Sequence, residues 1–75
     1  MQKEKFSEWP LTDVFGICRQ TILPIYRQPT FDSALITQLL FGECYQVLTM
    51  SNDQQWFKIA HEDTGHSGYI STKLL

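Results

Sequence analysis

The chain is divided into short apolar runs, and turn residues interrupt these runs about every ten positions. The longest run, Ala34 to Phe41, stops after eight residues at Gly42. Its Leu, Gln and Ala residues would tolerate a helix, but its short length and its central β-branched pair, Ile36 and Thr37, favour a strand. Strands of this length and spacing predict an all-β fold, a small barrel of about five to six short antiparallel strands. The predicted strands cover residues 14–19, 21–26, 34–41, 44–50, 56–61 and 67–71.

The alternation within the longest run leaves two interpretations open. One face carries Leu35, Thr37, Leu39 and Phe41, and the other carries Ile36 and Leu40. Because both faces are apolar, the run is either a central strand of the barrel or a strand whose bulge switches the faces. We expect Leu39 to be buried. Three phenylalanines at alternating apolar positions are also expected in the core: Phe15, Phe41 and Phe57.

The size and charge of the chain limit its partners. Its 75 residues can form one domain at most, with a small core. The net charge of -2 argues against binding to nucleic-acid phosphates. No apolar run approaches the roughly 18 residues of a membrane helix, so no membrane span is predicted.

The first thirteen residues are polar, and we predict a division into a leader, 1–13, and a domain, 14–75. The pair Trp9-Pro10 is expected to interrupt regular structure, because a residue before proline is biased away from helix. The leader lacks the apolar stretch of a signal peptide. If Met1 is the natural start, the sequence predicts a cytoplasmic protein; otherwise its localisation stays unknown.

The residue types that often carry catalysis or bind metals are few and scattered. Cys18 and Cys44 fit no metal motif and are expected to be buried thiols. His61 and His66 flank a glycine-containing turn rather than one helical face, which favours a solvated hairpin loop over a metal site. A cysteine nucleophile needs a base and an orienting group, and no motif supplies them. We therefore predict no catalytic residue, no metal and no cofactor in this chain.

Two aromatic residues leave a choice between packing and recognition. Trp56 and Tyr69 each follow turn residues and fall opposite the apolar faces of their strands. Amphipathic aromatics of this kind either pack in the structure or form a half-exposed recognition surface. Phe31 lies in a predicted loop and is a candidate residue for docking another domain.

Several motifs, taken in order, give the chain a resemblance to a known family. The most specific is the segment Gln38 to Glu43, and a tryptophan that opens a strand follows it. The other motifs are Gly16-Ile17-Cys18, Leu23-Pro24-Ile25 with Pro29, and Gly65-His66-Ser67-Gly68-Tyr69-Ile70. The order of these motifs is similar to that in the bacterial SH3 domain found at the front of NlpC-type cell-wall cysteine peptidases, which cut murein stem peptides at γ-D-glutamyl-L-diamino-acid bonds. The resemblance runs from about residue 14 to residue 75 and implies an SH3-like barrel.

The resemblance also implies a site and a partner. In the peptidases, an acidic residue and a tyrosine of the SH3 domain help to cap the free amino group of the stem peptide's first L-Ala. By motif, Glu43 and His66 hold these positions, with His66 in place of the tyrosine and Tyr69 in place of a tryptophan. The expected ligand-binding surface is therefore Glu43, His66 and Tyr69, with Trp56 nearby. The expected partners are the peptidoglycan stem peptide and a papain-like peptidase domain, whose Asp-Cys-Ser-Gly segment this chain lacks.

Three functions remain in competition. The first is a non-catalytic module that positions murein stem peptide for an associated NlpC-type peptidase. The second is a structural or domain-docking module without a ligand, in which Glu43 is a solvated turn residue. The third is an SH3 domain that binds proline-rich peptides, for which the loop 26–33 offers Tyr26 and Phe31 but a single acid, Asp32.

Overall fold

The computed structural model describes residues 8–75, which form one six-stranded antiparallel sheet and a short 3-10 helix. The strands are β1 (Glu8–Ile17), β2 (Ile22–Tyr26), β3 (Leu35–Leu40), β4 (Cys44–Ser51), β5 (Trp56–His61) and β6 (Ser67–Ser71), followed by the 3-10 helix Thr72–Leu74. Their order across the sheet is β1-β4-β5-β6-β2-β3. The prediction of an all-β fold of short antiparallel strands is confirmed. None of the described residues forms a helix long and apolar enough to cross a membrane.

Strand β1 begins earlier than the sequence predicts. Trp9 and Pro10 lie within it and pair with β4, so the prediction that they interrupt regular structure is wrong. Proline is tolerated here because β1 is the first strand in the sheet order and, among the described strands, pairs only with β4. The register shifts between Pro10 and Val14, where Asp13 has a φ of 57°, so a bulge carries the strand past position 13. Residues 1–7 of the predicted leader lie outside the described residues.

The glutamate at the start of β1 ties it to two other strands. The Thr49 hydroxyl of β4 donates to Glu8 Oε1 over 2.9 Å, and the Tyr69 hydroxyl of β6 donates to Glu8 Oε2. Burial of the Tyr69 phenol, together with its hydrogen bond to the Glu8 carboxylate, raises the pKa of Tyr69 to about 12. The phenol therefore stays protonated and can donate throughout the physiological pH range.

The core is built from alternate residues of β2 to β6. Five aliphatic side chains of residues 8–75 are fully buried: Leu23, Ile25, Leu39, Ile59 and Ile70. Cys18, Tyr45 and Val47 complete the cluster, and Phe57 packs partly against it. Leu39 lies inside as predicted, while its neighbour Leu40 is 45% exposed, as a strand with one buried face requires.

The bulge interpretation of the longest run describes β3 better than the central-strand interpretation. β3 is last in the sheet order, and its pairing with β2 skips Ile36, because Thr37 faces Ile25 while Leu35 faces Tyr26. Because Ile36 is left out of the pairing, Leu35 at the start of β3 falls on the opposite face of the sheet from the one that strict alternation predicts. Leu35 is consequently exposed, although strict alternation would place it beside Leu39.

The predicted burial of Phe15 and Phe41 is wrong, because Phe15 is 59% exposed and Phe41 is 72% exposed. On β1 the place facing the core belongs to Gly16, where a Cβ would lie 2.5 Å from the ring of Tyr45. The tyrosine ring fills the space that a β1 side chain would otherwise occupy, and Phe15 points outward. Phe41 follows the end of β3 and precedes Gly42, whose φ of 88° turns the chain away from the core.

Two turns meet at one end of the barrel. The β3–β4 turn is fixed by hydrogen bonds from Cys18 N to Glu43 O and from Gly42 N to Cys18 O, each 2.8 Å long. The β5–β6 turn closes with His61 N donating to His66 O over 2.8 Å. Since the first residue of the second turn, Glu62, donates its N–H to Cys44 O, the two turns lie side by side.

Candidate functional site

A groove of about 260 Å³ lies between the end of β3 and the β5–β6 turn. It brings together Glu43 and His66, the two residues that the motif comparison places in a site. Its lining consists mainly of polar and titratable side chains: Thr37, Gln38, Leu40, Glu43, His61, Thr64 and His66. The groove therefore offers a small ligand several hydrogen-bonding groups and one carboxylate.

The carboxylate of Glu43 is held in a fixed position. Its Oε1 accepts the backbone N–H of Leu40 over 2.8 Å and lies 3.1 Å from Nε2 of His61. The side chain is 31% exposed, so it is neither buried nor freely solvated. The bond from Leu40, followed by that from His61, lowers the pKa of Glu43. At neutral pH this group presents a negative charge to the groove.

His61 is the member of this site that the sequence interpretation missed. It is 5% exposed, and its Nδ1 accepts the N–H of Asp63 over 3.1 Å. The sequence analysis places His61 correctly at the end of a strand but expects its side chain to be solvated with the following loop, whereas the residue faces Tyr45 of β4. The alternation of β5 was the available signal, because Ile59 and His61 share a face and Ile59 is fully buried.

His66 is exposed and lines the groove. Its backbone is fixed, since its N–H donates to Thr64 Oγ1 over 3.2 Å and its carbonyl accepts from the N–H of His61. Gly65, with a φ of 77°, allows the tight turn that precedes it. The interpretation of His66 as a solvated loop residue is correct. The structure also shows that His66 and Glu43 line the same groove.

The two aromatic candidates lie away from this groove. Trp56 is 7% exposed and packs edge-on against Tyr26, with ring centroids 5.8 Å apart. Phe31 completes this aromatic cluster at 5.0 Å from the ring of Trp56 and is 52% exposed, as a docking residue would be. Tyr69 is bonded to Glu8 through its hydroxyl. The expected four-residue surface is thus divided: Glu43 and His66 share the groove, whereas Trp56 and Tyr69 are not among the residues that line it.

The two thiols are free and differ in exposure. Cys18 is buried, with its Sγ near the carbonyl oxygens of Gln20 and Leu39, whereas Cys44 is exposed. The expectation of two buried thiols is right for Cys18 and wrong for Cys44. Within residues 8–75, no group of three or more His, Cys, Asp or Glu side chains is arranged to hold a metal ion.

Comparison with known proteins identifies one family. A family model described as "Bacterial dipeptidyl-peptidase Sh3 domain" matches residues 25–75, about two thirds of the chain. The matched range contains both turns that form the groove. No curated protein and no solved structure matches the chain.

Proposed function

Because this chain belongs to the bacterial dipeptidyl-peptidase SH3 domain family, we propose that it is a non-catalytic module that helps a cell-wall cysteine peptidase of the NlpC type to position its substrate. In this proposal the groove forms one wall of the substrate cleft. Its ligand is the free α-ammonium group of a murein stem peptide, and a papain-like peptidase domain supplies the opposite wall and the nucleophile.

The observation that carries the proposal is the ionised carboxylate of Glu43 held at a small polar groove beside His66. An ammonium group beside a carboxylate forms a charge-assisted hydrogen bond, which is stronger than a neutral one. An acylated amine offers no charge, so its entry would leave the carboxylate without a cationic partner. A site of this kind selects unblocked peptides over blocked ones. A dipeptidyl peptidase, which acts from a free amino terminus, needs that selectivity.

His66 supports the same role in a smaller way. Its imidazole lines the groove, where it can form a hydrogen bond to the peptide backbone next to the amine. It holds the position where the resembling peptidases have a tyrosine. We propose that His66 supplies shape and one hydrogen bond, and that Glu43 supplies the charge.

The groove alone is half of a binding site. A hydrogen bond to a charged group contributes only about 1.5–3 kcal/mol, and association costs at least about 4 kcal/mol in lost translational and rotational freedom. We therefore expect the isolated chain to bind stem peptides in the millimolar range or more weakly. The test belongs to the protein in which this module is joined to its peptidase.

The experiment compares two substrates and two variants in that joined protein. The substrates are the stem peptide with a free amine and its N-acetylated form, and the measured quantity is the ratio of their kcat/KM values. Glu43→Gln keeps the shape of the side chain and removes its charge. The matched control is Glu62→Gln, which makes the same change at an exposed turn residue that does not line the groove.

We expect Glu43→Gln to reduce the preference for the free amine by about tenfold or more, which corresponds to the loss of one charge-assisted bond. The control variant should keep the wild-type preference. If Glu43→Gln and wild type show the same ratio, Glu43 does not select the amine. The domain-docking role, for which exposed Phe31 is the available contact, would then be the better explanation.

A further inference from the structure

We propose that His61 is a positioning residue for amine selection: it holds Glu43 so that one carboxylate oxygen stays turned to the ligand. This inference rests on the function proposed above and extends it to a buried side chain. It comes from the hydrogen-bond pattern around one imidazole ring and one carboxylate.

The first step is the protonation of the ring. Nδ1 of His61 accepts the N–H of Asp63 over 3.1 Å, and the N–H of Thr64 also points to it over 3.4 Å. A nitrogen that accepts a hydrogen bond carries no proton, so the neutral ring must carry its proton on Nε2. Nε2 lies 3.1 Å from Oε1 of Glu43 and therefore donates to it. The β5–β6 turn thus determines that the nitrogen facing the glutamate carries the proton.

The second step concerns the two oxygens of Glu43. Oε1 receives two donors, Nε2–H of His61 and the backbone N–H of Leu40. Within the part of the chain from residue 8 onward, no donor is within hydrogen-bond distance of Oε2. Two donors on one oxygen fix the plane of the carboxylate and leave the other oxygen available for an incoming ammonium group.

The third step is burial. His61 is 5% exposed, whereas the Glu43 side chain is 31% exposed, so the imidazole is far less accessible to solvent than the carboxylate that it contacts. Water competes little for a hydrogen bond made by a buried donor, and a buried side chain has few alternative positions. His61 is consequently suited to orient Glu43, while the ligand's charge is met by Glu43 itself.

Two substitutions separate this role from a merely structural one. In His61→Gln, the side-chain amide can place an N–H near the position of Nε2 and keep the bond to Glu43. In His61→Asn, the shorter side chain can place its oxygen near the position of Nδ1, where it accepts from Asp63 N–H but does not reach Glu43. The first variant preserves the contact with the carboxylate, and the second preserves the contact with the turn.

The measured quantity is again the ratio of kcat/KM for the free-amine and N-acetylated stem peptides, in the joined protein. We expect His61→Asn to lower the preference for the free amine by a factor on the order of 10, since a displaced binding group costs that much or more. His61→Gln should retain most of the preference. A general loss of stability lowers both kcat/KM values together and leaves their ratio unchanged, so it does not imitate this result.

A second readout uses the chain itself. Carbon-13 NMR of the Glu43 carboxyl group gives its pKa directly in wild type and in both variants. Because the bond from His61 is one of the causes that lower the pKa of Glu43, that pKa should rise in His61→Asn and stay low in His61→Gln. Equal pKa values of Glu43 in the three proteins would overturn the inference, whatever the kinetics show.

The kinetic outcomes distinguish the inference from the function on which it rests. If Glu43→Gln lowers the preference and His61→Asn does not, Glu43 selects the amine without help from His61, and the positioning role is wrong. Equal losses in His61→Gln and His61→Asn would also overturn it. If Glu43→Gln itself leaves the preference intact, the amine-selecting function fails and the positioning role fails with it.

Discussion

The buried face of β3 can be tested by truncating two adjacent leucines. Leu39 is fully buried, so Leu39→Ala removes apolar contacts and leaves a cavity, which costs about 3–5 kcal/mol at rigid sites. At roughly 0.05–0.15 kcal/mol per residue, a 75-residue chain has a total stability of roughly 4–11 kcal/mol. The variant should therefore lose between roughly a quarter of its stability and all of it. At about 4–8 °C per kcal/mol for a domain of this size, its Tm should fall by well over 10 °C.

The control is the next residue along the strand. Leu40 lies on the opposite face and is 45% exposed, so Leu40→Ala should cost less than about 1 kcal/mol. Urea unfolding followed by tryptophan fluorescence suits both variants, because Trp56 is buried in the folded state. If Leu40→Ala destabilises the chain as much as Leu39→Ala or more, the strand presents its other face to the core. That result would refute the pairing of Leu39 with Leu23 and of Leu40 with Ile22.

Three further predictions concern backbone approach, thiol exposure and pH. Gly68→Ala should lower the stability by about 1–3 kcal/mol, because its Cβ would lie 2.7 Å from the carbonyl oxygen of Tyr26 on β2; an unchanged Tm would contradict that approach. Iodoacetamide should modify Cys44 in the native chain and Cys18 only after unfolding, which mass spectrometry can follow; rapid modification of both would show that Cys18 is open. The folded-state pKa of Glu43 is lowered, so its ionised form stabilises the fold above its ordinary pKa, and this contribution is lost as the pH falls below about 4. Glu43→Gln should therefore reduce the loss of Tm between pH 6 and about pH 3, and an identical loss in both proteins would contradict this.

The sequence predicted strands β2 to β6 to within one residue at each end, because their boundaries depend on local chemistry. The breaks at Gly42 and Gly65 are positions with positive φ, which glycine adopts easily. The burial of individual aromatics was predicted less well because it depends on non-local contacts. Alternation along β1 favours Phe15 as a core residue, but the space beside Gly16 is occupied by the ring of Tyr45, which lies 29 positions after that glycine. Nothing within β1 itself signals that contact.

In the candidate site, too, the residues identified by local motifs were predicted, whereas the residue whose burial depends on strand pairing was missed. The motif comparison named Glu43 and His66 separately, and the structure shows that their two turns are neighbours because Glu62 N–H bonds to Cys44 O. His61 was missed because its residue type and its loop-like surroundings suggested a solvated position. Its burial follows from the pairing of β5 with β4, where it faces Tyr45. Such a pairing requires the register of two strands, which a single sequence does not supply.

Folding and recognition share one side chain at Glu43, and this decides which substitution is informative. The same Oε1 that belongs to the amine-binding carboxylate also accepts the N–H of Leu40, which stabilises the β3–β4 turn. Glu43→Ala would remove both functions at once, so a loss of activity could follow from a distorted turn alone. Glu43→Gln keeps an oxygen that accepts from Leu40 and His61 and removes only the charge. The ratio of free-amine to N-acetylated turnover in that variant therefore reports recognition, while its Tm at neutral pH reports the turn. Because the ionised carboxylate also stabilises the fold, we expect Glu43→Gln to lower both the ratio and the Tm at neutral pH. A reduced Tm with a normal ratio would assign the charge of Glu43 to the fold alone.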